Sequence, residues 1–218
     1  MTHDDPSGRA WFVAQRWQEY NGEARANLLR IIGIAVFYGL HLAHHYGLGL
    51  GIAKDDGLAA TENYHTLVSL IAMVWVLGAT GVHACLRQRF FPTWLKYAST
   101  TLDIVLLSAV LCVSNGPRSP MVVGYFVVLA MASLRFSLNL LWCATPVALL
   151  GYLTVLAVAR WPETLIRTTV DLRVPRYHQA MVLSAILLCG VVLGQIIRQS
   201  RKLAAEYAQH VGNQPEQE

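Results

Sequence analysis

Charged residues are scarce in this sequence. Lys, Arg, Asp and Glu make up 14% of its 218 residues, whereas soluble domains contain about a quarter. The hydrophobic set accounts for 55%, and the mean hydropathy is +0.41. This balance argues against an ordinary soluble domain and indicates an integral membrane protein.

Several familiar patterns are also missing. The N-terminal residues lack a basic segment followed directly by an apolar core, so we expect no cleaved signal peptide. The four cysteines form no close pair and no C-x-x-C-H motif, which favours packing residues over disulfides, metal clusters or covalent haem. No internal repeat or large soluble domain is visible, which disfavours a transporter and favours a non-enzymatic role. The net charge of +4 is explained by basic flanks and requires no nucleic acid.

Six apolar runs are present, most of them near the 20 residues or so that a helix needs to cross a bilayer. They are continuously apolar rather than alternating, which favours helices over a β-barrel. The sequence therefore predicts an all-α integral membrane protein, with a six-transmembrane-helix bundle over residues 27–198. The predicted spans are 27–50, 64–86, 94–114, 120–134, 138–159 and 177–197.

Two flanks complete the predicted organisation. Residues 1–26 contain WFVAQRWQEY, whose aromatic and polar side chains alternate as in an interfacial amphipathic helix. Residues 199–218 continue the last span as a helical tail. Within that span, Gly190 and Gly194 allow close helix packing, either inside the bundle or in a homodimer.

The basic residues predict the orientation. An N-terminus in the cytoplasm places eleven of the seventeen Lys and Arg residues on the cytoplasmic side, as the positive-inside rule favours. Both termini are then cytoplasmic, in a multi-pass protein. These eleven residues are Arg9, Arg16, Arg25, Arg30, Arg87, Arg89, Lys96, Arg135, Arg198, Arg201 and Lys202.

Histidines are the first candidate site residues. The stretch HLAHHYGLGLG ends the first span, and two further histidines begin spans two and six. Because the spans alternate in direction, all five fall near the outer boundary of the bilayer, and those of span one share a helix face. The candidates are His41, His44, His45, His65 and His178.

Three interpretations of these histidines remain open. They are polar residues at the headgroup level, ligands of a transition metal such as zinc, copper or iron, or axial ligands of a b-type haem. All five are candidate metal ligands, and the haem candidates are His41, His45, His65 and His178. A match to the H-x-x-H-H box of membrane desaturases is weak, since only one box is present and it lies on the outer side.

Asp103 is the second candidate, because it lies well inside span three. A carboxylate there requires a partner. We expect a structural pair with Arg135, at the inner end of span four; Lys96 and the hydroxyls of Thr100 and Thr101 are the alternatives.

The segment NGPRSPMVVGYFVVLAMASLRFSL (115–138) resembles a pattern in the six-helix sensor modules of bacterial membrane histidine kinases and nucleotide cyclases. Those modules have a Gly/Ser-Pro turn, an apolar helix with a tyrosine, and a small-small-Leu-Arg/Phe ending. The resemblance implies a homodimeric sensor in the bacterial inner membrane that acts on a cytoplasmic signalling partner. The kinase or cyclase domain itself is not among these 218 residues.

Taken together, the sequence predicts a membrane sensor or receptor module. Its outer histidines bind a ligand, metal or haem, and the change is relayed through the last helix. The alternative is a small b-type cytochrome in electron transfer, and a transporter is a further alternative.

Overall fold

The computed structural model describes residues 6–46, 62–88, 94–161 and 174–212. All regular structure in these ranges is helical. Two short 3-10 turns, Gly116–Arg118 and Pro120–Val123, precede the fourth helix. The α-helices are α1 (Pro6–His45), α2 (Glu62–Arg87), α3 (Leu95–Val113), α4 (Gly124–Ser133), α5 (Leu138–Arg160) and α6 (Arg176–Gly212).

Five helical segments are long and apolar enough to cross a membrane: Gly22–Ala43, Tyr64–Arg87, Leu95–Val113, Leu138–Arg160 and Arg176–Ala204. Large apolar side chains on their outer surfaces are exposed, as suits a surface solvated by lipid. The predicted helical membrane bundle agrees with this architecture.

The fourth predicted span is shorter than the others. Pro120–Ser133 forms a 3-10 turn followed by α4, an apolar segment of 14 residues. It packs against α3, α5 and α6. Tyr125 and Leu129 are fully buried there, so much of this short segment is covered by protein rather than lipid.

The two predicted flanks are continuous with their spans. Helix α1 has 40 residues and is therefore about 60 Å long, roughly twice the hydrocarbon thickness. The segment predicted as a separate interfacial helix, residues 1–26, is from Pro6 onward part of this single helix. Helix α6 likewise continues through the predicted tail as far as Gly212.

The chain passes up and down through the bundle. Side-chain contacts join α1 to α2 and α2 to α3 in antiparallel fashion. Helix α5 packs against α3 on one side and α6 on the other. One end of the bundle, here called the terminal end, holds Gly22 of α1 and the turn 134–137 between α4 and α5. The opposite end, the histidine end, holds His41 and His65.

Small residues allow close packing of the core helices. A methyl group at Gly190 would collide with both branches of Thr145 on α5, and Gly194 faces Leu138 and Leu141 of the same helix. Both glycines are buried. The sequence predicted that this glycine pair packs either inside the bundle or in a homodimer. In the structure the two glycines pack inside the bundle.

The chain reverses direction between α3 and α4, over the two 3-10 turns. Gly116 has a φ of 58°, in the left-handed region that glycine adopts without strain. The Ser119 side chain then accepts a hydrogen bond from the backbone N–H of Met121 at 3.3 Å, which caps the second 3-10 turn. These two turns connect α3 to α4 at the histidine end.

Candidate functional site

Two of the predicted histidines meet across the α1–α2 interface. His41 Nε2 lies 3.2 Å from His65 Nδ1, and the ring planes are inclined by 15° with centroids 5.4 Å apart. The nitrogens approach each other much more closely than the ring centres do, so the rings meet edge to edge through a hydrogen bond. One nitrogen must carry the hydrogen while the other accepts it, so the two tautomers are coupled.

Aromatic rings surround this histidine pair. Tyr64, next to His65, packs edge-on against His41 with centroids 5.4 Å apart. Tyr38 lies one turn below His41, with ring centroids 6.0 Å apart. The Tyr38 hydroxyl shares a hydrogen bond of 3.0 Å with Ser69 Oγ on α2. The pair is thus held between two tyrosines, and both histidines remain partly exposed.

Of the remaining predicted histidines, only His178 has a described side chain, and it does not join this pair. His44 and His45 occupy the last turn of α1, but their side chains lie outside the described part of the protein. His178 begins α6, which packs on α4 and α5, whereas α1 packs mainly on α2. Its Nε2 is buried and has no hydrogen-bond partner among the described residues.

A cavity of about 60 Å³ extends from His41 into the bundle. His41, Tyr38 and Tyr64 line its outer part, and the Trp75 indole lines its inner part. The other lining side chains are apolar and come from α1, α2, α3 and the turn before α4. Among the described residues, no group of three or more His, Cys, Asp or Glu side chains is arranged to hold a metal ion.

The predicted partner of Asp103 is corrected by the structure. Asp103 pairs with Arg30 of α1, not with Arg135. Arg30 Nε lies 2.8 Å from Oδ1 and 3.0 Å from Oδ2, and Nη2 lies 2.7 Å from Oδ2. The Trp75 indole N–H donates a further bond of 2.8 Å to Oδ1. Both charged side chains are about 96% buried. A buried charge is stable only when a partner and hydrogen bonds compensate for the lost water, as they do here.

Arg135 has its own partner, Glu23 of α1, at 3.1 Å. It also donates to the Lys96 carbonyl at 2.7 Å, to Thr100 Oγ1 at 2.8 Å and to Ser99 Oγ at 3.1 Å. Burial lowers the pKa of the Arg135 guanidinium below its ordinary value, and the neighbouring Glu23 carboxylate opposes that shift. An arginine remains protonated even so. Arg135 therefore ties α1 and α3 to the turn between α4 and α5.

Three members of this network were missed in the sequence. Glu23, Asn27 and Arg30 are all buried, and their spacing of four and three places them on one face of α1. Asn27 accepts from Arg30 at 3.0 Å and donates to the Ala79 carbonyl of α2 at 3.2 Å. The sequence signal that could have identified these three residues is a polar stripe with helical spacing at the start of an apolar run. Arg30 was instead assigned to the cytoplasmic flank.

The polar network is continuous with both the cavity and the last helix. Trp75 lines the cavity that reaches His41, and it also lines a smaller cavity beside Arg30 and Asp103. At the terminal end, the Arg201 guanidinium of α6 donates to the carbonyl of Phe136, the residue after Arg135. Phe136 has a φ of 49°, an unusual conformation for a residue with a side chain.

At the histidine end the His41–His65 pair joins α1 to α2, and at the terminal end α6 contacts the turn that follows Arg135. The buried ion pairs hold α1, α3 and the turn between α4 and α5 in register. Comparison with known proteins adds no assignment to this geometry: no protein-family model, curated protein or solved structure matches the chain.

Proposed function

We propose that this protein is a membrane receptor module with six spanning helices. A ligand or metal ion binds at the His41–His65 pair, and the response is relayed to the terminal end of α6. The observation that carries the proposal is a set of two buried ion pairs on one face of α1. Arg30–Asp103 holds the Trp75 indole, and Glu23–Arg135 lies beside the turn that Arg201 contacts.

The first step of the relay is mechanical. A ligand that parts or tightens the histidine pair changes the distance between α1 and α2 at the histidine end. Trp75 lines the same cavity, and its indole is held by Asp103. A displacement of Trp75 therefore acts on the Arg30–Asp103 pair, which is buried too deeply to exchange its bonds for water.

The second step lies at the terminal end. Arg30 and Glu23 belong to the same face of α1, and Glu23 pairs with Arg135. Any shift of α1 along its axis is transmitted to the turn 134–137, whose Phe136 carbonyl accepts a bond from Arg201. Helix α6 then carries the shift beyond the bundle, since it continues unbroken to Gly212.

The arrangement of the two histidines fits a shared metal ion better than it fits axial ligation of a haem. A metal ion that binds both nitrogens would have to replace the hydrogen bond of 3.2 Å that now joins them, but it would not part the two rings. A haem would need one imidazole on each face of the porphyrin, so these two rings would have to part. We therefore favour the receptor over the small b-type cytochrome.

The remaining parts of the proposal follow the sequence. We place the protein in the inner membrane of a bacterium, with both termini in the cytoplasm, and Pro120–Ser133 as the fourth crossing. A homodimer and a cytoplasmic signalling partner belong to the same proposal. The glycines Gly190 and Gly194 are used inside the bundle, so a dimer would form through another surface.

Hydrogen exchange tests the relay without requiring a known ligand. The His65→Phe substitution should alter the exchange of residues 198–206 of α6, although His65 lies at the opposite end of the bundle. The same substitution in a Trp75→Phe background should have little effect there, because the first step of the relay has been removed. Leu67→Phe is the matched control, since Leu67 is 44% exposed on the same turn of α2.

Two results would contradict the proposal. One is unchanged exchange over residues 198–206 in His65→Phe. The other is an equal change in the control. A visible spectrum and elemental analysis of the purified protein then identify the bound species: stoichiometric zinc or copper supports the metal site, and a reducible Soret band supports the cytochrome.

A further inference from the structure

We propose that the groove between α5 and α6 at the terminal end of the bundle binds one anionic phospholipid of the surrounding bilayer. The phosphate of the lipid lies at Arg198 and Lys202 of α6, and its acyl chains lie along the apolar part of the groove. This inference goes beyond the proposed receptor and does not depend on it, because it concerns a surface at the opposite end of the bundle from the histidine pair.

The antiparallel contact of the two helices determines which side chains border the groove. Leu141 of α5 faces Gly194 of α6. In an antiparallel pair, the residue that follows a contact residue is turned by about 100° toward the same side on both helices. Trp142 and Gln195 therefore border one groove, and both are exposed, Trp142 by 53%. Helices α3 and α4 pack on the other side of this helix pair, so the groove faces the lipid.

The chemistry of the α6 wall changes with depth in the order of the groups of a phospholipid. Val191, Gln195, Arg198 and Lys202 are four, three and four residues apart, so they share one face of the helix, and all four are exposed. The two cations are outermost, the amide lies about one turn deeper, and apolar side chains begin at Val191. A phosphate, an ester group and an acyl chain would meet these groups in turn.

The α5 wall has the same order. Asn139, Trp142 and Pro146 are three and four residues apart and are all exposed, so they form one lipid-facing surface. Asn139 offers an amide near the start of the helix, and the Trp142 indole lies about one turn deeper, where the amphipathic ring of a tryptophan suits the boundary of a bilayer. Leu153, which is 45% exposed, continues the surface as an apolar wall. Polar groups from both helices thus lie at the level of the ester groups.

Arg198 and Lys202 lie where a phosphate group lies in a bilayer. Residues 177–197 contain no Lys, Arg, Asp or Glu. As a helix they extend about 31 Å, which is close to the hydrocarbon thickness of about 30 Å. Arg198 is the first charged residue beyond this run. Its guanidinium can donate two parallel hydrogen bonds to a phosphate, and the ammonium of Lys202 adds a second positive charge one turn further out.

The charges in this region favour an anion as the occupant. Neither Arg198 nor Lys202 belongs to the two ion pairs of the described residues. Glu206 lies one turn beyond Lys202 and has a contact of its own, so Arg198 is the better placed of the two cations. A second copy of the chain would fit poorly, because copies with the same orientation in one bilayer bring the same two cations together when they pair through this groove.

Quenching of Trp142 by brominated lipid measures which lipid occupies the groove. The full chain is reconstituted in bilayers with equal amounts of phosphatidylglycerol and phosphatidylcholine, and only one of the two lipids carries bromine near the glycerol end of its acyl chains. The Trp142 signal is the difference between the unmodified chain and Trp142→Phe. We expect phosphatidylglycerol to be preferred roughly five-fold beside Trp142, as one cation near a membrane surface implies.

Removal of the two cations should abolish this preference. In Arg198→Gln/Lys202→Gln we expect it to fall below about two-fold. Arg25→Gln/Arg87→Gln is the matched control, because it removes two exposed cations at the same end of the bundle from α1 and α2, which do not border the groove. The control should retain the preference. An equal loss in both variants would mean that the positive charge of the whole terminal end attracts the lipid, which would overturn a site in the groove.

Three further results would overturn the proposal. Equal quenching by the two labelled lipids in the unmodified chain would exclude recognition of the anionic lipid, and this result decides even if the double variant does not fold. Quenching of Trp142 by neither lipid would mean that protein, such as a second copy of the chain, covers the groove. Loss of the preference in excess inorganic phosphate at constant ionic strength would identify free phosphate, rather than a lipid, as the ligand.

Discussion

The two ends of this bundle hold their polar residues in opposite ways. At the terminal end and into the middle, Arg30, Asp103 and Arg135 are 3–6% exposed and make several bonds each. At the histidine end, His41 and His65 are partly exposed and are joined by a hydrogen bond of 3.2 Å. The first arrangement resists change, and the second is where we propose that a ligand or metal ion binds. The proposed receptor would use this combination of an accessible site and a firmly held set of helices.

The largest expected effect is the loss of Asp103. In Asp103→Leu the buried Arg30 guanidinium keeps only its bond to Asn27, so we expect a loss of about 3–5 kcal/mol in the free energy of unfolding. The double variant Arg30→Met/Asp103→Leu removes both charges and should recover most of that loss. Unfolding in detergent, followed by circular dichroism, measures both. A single variant as stable as the unmodified chain would show that the terminal end is not firmly held.

The partner of Asp103 depends on features that the sequence does not display. The antiparallel order of α1 and α2 sufficed to bring His41 near His65, because both lie near the same end of their spans. The choice between Arg30 and Arg135 depends on the rotation of α1 about its axis and on how far its buried face extends toward Gly22. It also depends on the turn at Phe136, whose positive φ lacks the glycine that usually signals one. The helices and their order could therefore be predicted, whereas the pairing of the charges could not.

Trp75→Phe tests the link between the two ends. It removes the indole N–H that donates to the Asp103 carboxylate at 2.8 Å, and bonds to charged groups contribute about 1.5–3 kcal/mol. We expect a loss of stability in that range and a weaker effect of His65→Phe on α6. Trp142→Phe, at an exposed position, should change stability by less than about 0.5 kcal/mol. Equal effects of the two substitutions would mean that the Trp75 bond contributes nothing specific.

Gly190→Ala adds a third region to the comparison, the contact between α5 and α6, which belongs to neither end. The added methyl group meets both branches of Thr145, and Thr145 is itself buried, so we expect a loss of about 1–3 kcal/mol in detergent unfolding. Gly33→Ala on α1 is the matched control, because nothing lies within 4 Å of its added methyl group. That variant should be neutral or more stable by up to about 1 kcal/mol. The reverse order of the two would contradict the packing of α6 against α5.

The smallest expected effect is that of His65→Phe on stability. The substitution removes the hydrogen bond to His41 at a partly exposed position and keeps an aromatic ring there, so the free energy of unfolding should fall by less than about 1 kcal/mol. Detergent unfolding, compared with Leu67→Phe, measures it. A loss as large as that of Asp103→Leu would mean that the histidine end is held as firmly as the terminal end. The pair would then serve mainly to hold α1 against α2, because a contact that contributes so much to stability is poorly suited to opening for a ligand.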